Sequence, residues 1–356
     1  MTDLRLFGRC TKGLEGVLAS EIQQRLDGQV TNVSHRQVTF SIEAGATQAD
    51  LGRATELRCA DDVFLDFGVV EGVSRERASL ATLASGLSRL NLGEALQHIT
   101  SVRDATPASF DVVCSFMGQR NYNRFEAEKM VAGEICRQIH LPRVDTERRR
   151  DADLSWRIHV DGTQASVGLR IARQPLHRRS YRTDAMPGAL HPPVAAAMVL
   201  LAEPRFGALI LDPSCGSGTL CVEAGIFEKS AHVVGGDASA AAVRVSAEHA
   251  HKAQTKFSGI VADGARLPLS DLSVDVVLCN PAWGRSVEAQ GELSQQPDLL
   301  WKEIGRVLKR DGRAMVITES ETAETNHVCH GLRLMGKLRL RVSGRWATLR
   351  TLVPDC

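Results

Sequence analysis

Several absences narrow what this chain can be. No apolar run approaches the roughly 20 residues that a membrane-crossing helix needs, so a spanning protein is not expected. The opening stretch MTDLRLFGRCTKGLEG is too polar for an export signal. Nine cysteines (Cys10, Cys59, Cys114, Cys136, Cys215, Cys221, Cys279, Cys329 and Cys356) occur without a single CxxC pair. Zinc and iron–sulfur spacings are therefore missing, and no metal is expected. An odd number of cysteines in a long chain without an export signal points to reduced thiols and a cytoplasmic location. An excess of one charge is absent too. Lys and Arg number 43 against 42 Asp and Glu, so the global charge of +1 identifies no partner. Short repeats and low-complexity stretches are also missing. What remains is a chain of 356 residues, 43% hydrophobic and 24% charged, long enough for two or three globular domains.

The strongest local signal is ALILDPSCGSGTLCVEAGIFEK, residues 208–229. Its first four residues read as a short apolar strand, and Gly216 and Gly218 bracket a tight turn. Residues 219–229 then carry helical spacing, with Leu220, Ala224 and Phe227 on one side. Strand, glycine loop and helix open a doubly wound α/β domain, where glycines let backbone amides approach a ligand at the carboxyl end of the strands. Asp212 closes the strand, and the third glycine of a dinucleotide fingerprint is missing. An acid at that point would repel a pyrophosphate but suits a cationic ligand without phosphates, such as S-adenosylmethionine. AHVVGGD gives a second strand ending in Asp237, close to the roughly 20-residue offset at which an acid meets ribose hydroxyls. Ser239 is a cap for the helix that follows. GIVADGARLPL ends a third strand at Asp263, placed to accept from an adenine amino group. VDVVLCNPAWG is a fourth strand, and it must stop at Asn280-Pro281 because proline cannot donate to a ladder. DLLWKEIGRVLKRDG predicts an amphipathic helix with Gly312 just past its end, and RAMVITES a fifth strand. LRLRVSGRWATLRTLV closes the chain as a hairpin around Ser343 and Gly344.

The ordered set DPSCGSGTL, GGDAS, VADGARL and CNPAWG resembles the class I S-adenosylmethionine-dependent methyltransferases. More narrowly, it is similar to the branch that modifies exocyclic amino groups, whose fourth motif is Asn/Asp-Pro-Pro-aromatic. Ala282 stands where that pattern has its second proline, so the loop loses one rigid ring. The resemblance implies a donor pocket built from Asp212, Pro213, Cys215, Gly216, Ser217, Gly218, Thr219, Asp237, Ala238, Asp263, Gly264 and Asn280. His191 and Pro192 would join it from the segment before the first motif, although a plain helix-start role fits them equally. Catalysis would fall to Asn280, Pro281 and Trp283. The Asn280 side-chain oxygen and the Pro281 carbonyl could hold both N–H groups of an amino nitrogen and turn its lone pair towards the methyl donor. Trp283 offers a face for a base swung out of its helix. The competing chemistry is a thiolate at Cys279 or Cys215. Neighbours on a strand point to opposite faces, so Cys279 and Asn280 cannot both face one base.

Upstream, TKGLEGVLASEIQQRL predicts a helix, and QVTNVS and QVTFSI predict strands. FDVVCSFMG is strand-like, and the following NRFEAEKMVAGEICRQI is a helix with Asn123 and Glu126 as its capping box. DADLSWRIHVDGTQASVGLRI reads as two strands turning at Asp161-Gly162. With GQRNYNRFEAEKM and LHRRSYR, this order resembles a THUMP domain with its accessory ferredoxin-like domain. The expected architecture is α/β: α+β ferredoxin-like (1–58) and THUMP (59–172) domains, a linker (173–188), and a class I, Rossmann-like methyltransferase domain (189–356). Its sheet is mainly parallel with an antiparallel last strand. The family precedent is methylation of the guanine 2-amino group of RNA, with tRNA and its acceptor stem as the expected partner. Arg120, Asn121 and Arg124 of the turn and Arg178, Arg179 and Arg182 of the linker are the RNA contacts this implies. Ten arginines between Arg143 and Arg182, against five acids, give that stretch +5, as phosphate binding requires. Three other readings stay open: the same chemistry on ribosomal RNA, an adenine or cytosine amino group as target, and an RNA-binding scaffold whose catalytic domain has decayed.

Overall fold

A computed structural model describes residues 4–42, 48–103, 105–144, 146–184, 186–281, 290–319 and 330–355. Its internal contacts divide the chain into two compact units, Met1–Arg9 with Leu18–Leu176, and Cys10–Val17 with His177–Cys356.

The chain runs through β1 (Leu4–Arg9), α1 (Glu15–Leu26), β2 (Gln29–Ser34), β3 (Gln37–Ile42), α2 (Gln48–Ala54), β4 (Asp62–Glu71), α3 (Ser79–Leu87) and α4 (Leu92–Arg103). It continues through β5 (Phe110–Phe116), α5 (Arg124–Ile139), β6 (Leu154–Asp161) and β7 (Gln164–Arg170). The strands form one seven-stranded sheet in the order β2-β3-β1-β4-β7-β6-β5. Expected boundaries at residue 58 would split this sheet. Instead β1 pairs antiparallel with β4, Leu6 opposite Leu65 and Phe7 opposite Phe64, and the two phenylalanine rings stack at 5.0 Å. Period-two alternation sorts the sheet into faces. Leu6, Val38, Phe40, Leu65, Val112, Trp156, Ile158 and Leu169 are buried, as are Val131, Ala132 and Ile135 on one side of α5. At the start of α5 the Asn123 side chain accepts from Phe125 N and Glu126 N, while Glu126 accepts from Asn123 N.

In the second unit the elements are α6 (Pro192–Ala202), β8 (Leu209–Asp212), α7 (Thr219–Phe227), β9 (His232–Asp237), α8 (Ala240–Lys252), β10 (Phe257–Val261) and β11 (Val274–Cys279). Then follow α9 (Leu299–Val307), β12 (Leu308–Glu319), β13 (Leu332–Val342) and β14 (Arg345–Pro354). The strand order is β10-β9-β8-β11-β12-β14-β13, parallel from β10 to β12, with β14 antiparallel to both its neighbours. Successive strands leave β8 in one direction and then, with β11, in the other. That reversal opens a crevice at the carboxyl ends of the strands, where ligands of open α/β sheets bind.

Two expected boundaries move. The helix predicted up to Gly312 ends at Val307, and strand β12 begins at once. Val274 pairs with Leu308 but Val276 with Arg313, so residues 309–312 bulge out of the ladder. Lys309 Nζ meets Asp275 Oδ1 there at 2.8 Å. β10 ends at Val261, which leaves Asp263 in the turn after the strand. The closing hairpin turns on Ser343 (φ 48°) and Gly344 (φ 84°), two positive-φ residues whose twist matches that of the flanking strands.

Candidate active site

The crevice is lined by three strand ends and one glycine loop. Gly216 (φ 52°) and Gly218 (φ 74°) both sit in the left-handed region, which lets the chain turn from β8 into α7. The second has no room for a side chain, since a Cβ would lie 2.6 Å from Ser246 Oγ. Around the loop the hydrogen bonds are specific. Gly216 N donates to Asp237 Oδ2 at 2.9 Å, Ser246 Oγ donates to Gly216 O at 2.9 Å, and His249 Nδ1 lies 2.9 Å from Ser217 O. Asp184 N donates to His249 Nε2, so the proton belongs on Nδ1 and the imidazole donates to the loop carbonyl. Ser246 and His249 are fully buried on α8. Sequence reasoning missed both. The available signal was a pair of polar residues three apart on the apolar side of that helix.

The acids divide by environment. Asp212 is 3% exposed and accepts from Ser214 N at 3.0 Å. Burial pushes its carboxyl up to about 8, with the nearby Asp237 adding to the rise and the Ser214 bond opposing it. A positive ligand beside it would favour the ionised form. Asp237 accepts from Gly216 N and Ser239 N on separate oxygens. Each oxygen keeps a second lone pair for a ribose hydroxyl. Asp263 likewise accepts from Ala265 N and Glu292 N, and so ties down the chain at residues 291–292. Buried in the same loop, Ser217 Oγ and Thr219 Oγ1 have no hydrogen-bond partner among the described residues. Such atoms call for one. Two orphan hydroxyls, a glycine cradle and acids instead of cations fit S-adenosylmethionine and do not fit a pyrophosphate.

At the end of β11, Asn280 Nδ2 donates to Gly188 O at 3.3 Å, which orients the amide and leaves its oxygen as an acceptor. Cys279 faces the other way, into a core with Leu211, Trp301 and Val316. Burial drives its thiol, and that of Cys215, far above the ordinary range, so neither is a thiolate nucleophile. His191 caps α6 through backbone geometry and stacks on His177 at 5.5 Å, while Pro192 and Pro193 occupy the first turn. Ala282 and Trp283 lie outside the described residues.

Three of the expected RNA contacts bond within the protein. Arg179 Nε donates to the buried Glu223 at 2.9 Å, Tyr181 donates to the same oxygen, and the Arg179 side chain is only 7% exposed. Arg120 donates to the carbonyls of Val73, Ser74 and Gly162, and Asn121 donates to Glu76. These three side chains hold loops together. Arg124, over the ring of Phe125 at 4.6 Å, and Arg178 are exposed, and Arg182 is half-buried. The +5 window also shrinks. Arg143 and Arg149 pair with buried Glu128, Arg170 with Asp62, and Arg157 donates to Ser115. Both of those acids lie outside residues 143–182.

The family model described as RMKL-like, methyltransferase domain, matches residues 179–337. A tRNA (guanine(6)-N2)-methyltransferase of Thermus thermophilus is 31% identical over 178 residues, 49% of this chain and 52% of that protein. The ribosomal RNA large subunit methyltransferase K/L of Photobacterium profundum is 26% identical over 84% of this chain and 46% of its own length. A U6 snRNA (guanine-N(2))-methyltransferase of Mus musculus is 27% identical over 65% and 42%. The chain thus spans about half the length of the curated relatives it matches. Among solved structures, TrmN from Thermus thermophilus superposes with a TM-score of 0.77 at 23% identity over 99% of both chains, which establishes the class I methyltransferase fold.

Proposed function

Starting from a chain whose residues 179–337 carry an RMKL-like methyltransferase domain, we propose that it methylates the exocyclic 2-amino group of a guanosine in RNA, in the acceptor stem of a tRNA. The observation that carries this reading is the Asn280 amide, whose nitrogen donates to Gly188 while its oxygen has no hydrogen-bond partner among the described residues, at the sheet edge bearing the glycine loop. S-adenosylmethionine, when bound, supplies an electrophilic methyl on a sulfonium. The protein's own groups do the rest. Ser217, Thr219 and Asp237 offer hydrogen bonds to the donor. Asn280 Oδ1 and the Pro281 carbonyl accept both amino hydrogens, direct the nitrogen lone pair, and stabilise the positive charge that develops on nitrogen. The N–C bond would form as the S–C bond breaks, leaving S-adenosylhomocysteine, and the methylated nitrogen then loses its proton to water. No covalent bond to the enzyme is needed, in keeping with thiols held protonated by burial.

The test is to incubate the protein with methyl-labelled donor and separate tRNA and ribosomal RNA pools, then digest and identify the nucleoside. Labelled N2-methylguanosine from tRNA is expected. The same nucleoside from ribosomal RNA alone would move the substrate, and a labelled adenosine or cytidine, or no label, would overturn the chemistry.

A further inference from the structure

The end of the chain carries a charge pattern that the catalytic reading does not use. From His330 to Pro354 there are six cations (Arg333, Lys337, Arg339, Arg341, Arg345 and Arg350) and no acid, in a protein whose overall charge is +1. Arg350 is buried against Thr318, and Arg345 reaches Glu319 at 3.3 Å. Arg333, Lys337, Arg339 and Arg341 are all exposed on β13. A cationic edge strand can serve as protection against unwanted strand pairing. The arrangement here goes further than that.

Lys337, Arg339 and Arg341 alternate along the strand, so they project from one face about 7 Å apart. Trp346 lies opposite Arg341 in the ladder and gathers two further cations, Arg339 at 4.6 Å and Lys12 at 5.3 Å from its ring centre. Lys12 O also accepts from Arg341 N. The ladder fixes where this group sits relative to the chemistry. Cys279, Val316, Arg350 and Lys337 form a single row across the sheet, and Cys279 immediately precedes Asn280. Three strand spacings make the row about 14 Å long. β13 runs parallel to β11, so Arg339, Arg341 and the Ser343–Gly344 turn lie beyond that row, at the carboxyl edge where Asn280 sits.

We propose that the outer face of β13, with Lys12 and Trp346, is a phosphate-backbone contact for the RNA that flanks the methylated nucleotide. This rests on the proposed function. A base entering the crevice at Asn280 carries its neighbouring phosphates over the sheet edge, and the cations along that edge neutralise them. Affinity gained this way is independent of sequence and falls with salt, because each phosphate contact releases counterions.

The experiment compares the full chain with two variants, Arg333→Gln/Lys337→Gln/Arg339→Gln/Arg341→Gln and Arg333→Glu/Lys337→Glu. The second leaves the cations around Trp346 in place. Binding of unfractionated tRNA is titrated at several salt concentrations, and S-adenosylhomocysteine binding reports that the catalytic domain is folded. The quadruple variant should bind tRNA at least about ten-fold more weakly at low salt, with its log–log salt slope flattened by about 3, one step of 0.7–0.9 per cation removed. Methylation should show a raised KM for RNA with kcat within about twofold, as expected for loss of uniform binding. Affinity and slope equal to wild type in both variants would overturn the contact. Wild-type methylation of RNA alongside that result would leave the proposed function standing. Absence of methylation by the wild type would remove the function instead.

Discussion

At Asn280 the donor half of the amide is occupied by the Gly188 carbonyl, and this separates two substitutions that look alike. Asn280→Ala removes an acceptor used in the transition state, so single-turnover methylation should fall about 10²–10³-fold while donor affinity stays within a few fold. Unchanged turnover would end the proposed role. Asn280→Asp keeps an acceptor but sets a carboxylate against Gly188 O. Its rate should be low at pH 8 and partly recover towards pH 5, where the protonated acid can donate again. A pH profile parallel to wild type would show that the Gly188 bond does not orient the side chain. Asp212 gives a second residue-scale test. Its folded pKa, about 8, lies above the unfolded value of 3.8. The folded state therefore holds a proton that the unfolded chain has lost, and stability present below pH 3.8 drains away as pH rises through 8. Asp212→Asn should remove that slope, about 1.4 kcal/mol per pH unit for one proton, and make the variant the more stable protein at pH 8. Urea unfolding at pH 6 and pH 8 checks it, and equal slopes in both proteins would refute it.

The segment leading into α6 shows what an element-scale view adds. Two adjacent arginines look equivalent in LHRRSYR, yet Arg179 is sealed against Glu223 and Arg178 is exposed. Arg179→Ala leaves a buried carboxylate without its cation, which costs about 3–5 kcal/mol of stability. Arg178→Ala should stay within about 0.5 kcal/mol of wild type and weaken RNA binding instead. Chemical unfolding and tRNA titration together separate the two, and similar stability losses would sink the distinction. Elements whose signals are local were legible beforehand: the β2–β3 pair, the Asn123–Glu126 capping box, the Gly162 turn, and strand, loop and helix around Gly216. Boundaries set by tertiary contacts were not. The pattern of LLWKEIGRVL continues as a helix on paper, but Leu308 is drawn into the ladder opposite Val274. The strand ends that line the crevice were legible for the same reason that the glycine loop was, because sequence marks where each strand stops. The loop's support from Ser246 and His249 was hidden, since a polar residue on a buried helix face reveals its partner only once the loop is placed.

Over the whole molecule, counting charge in sequence windows misled because partners come from elsewhere. Arg143 and Arg149 meet Glu128, Arg170 meets Asp62, and the stretch with cations and no acid of its own is β13. The same separation into units with different buried titratable groups yields a prediction about unfolding. His159 of β6 belongs to the first unit and Asp212 to the second. Burial lowers the His159 imidazole to about 4, with Arg9 and Arg157 contributing, so it folds neutral. The unfolded chain takes up a proton below pH 6.5, and the first unit therefore loses stability as pH falls from 6.5 towards 4. Asp212 acts with the opposite sign, and the second unit loses stability as pH rises through 8. Two units with separate cores need not unfold in one step. Calorimetry should show two transitions, one losing stability as pH falls from about 6.5 towards 4 and the other as pH rises from about 4 to about 8. S-adenosylhomocysteine at about 100 times its Kd should stabilise only the alkali-sensitive transition, by about 2.7 kcal/mol. A ligand shift in the acid-sensitive transition alone would place donor binding outside the second unit, and a single transition with no pH asymmetry would show that the two units unfold as one body.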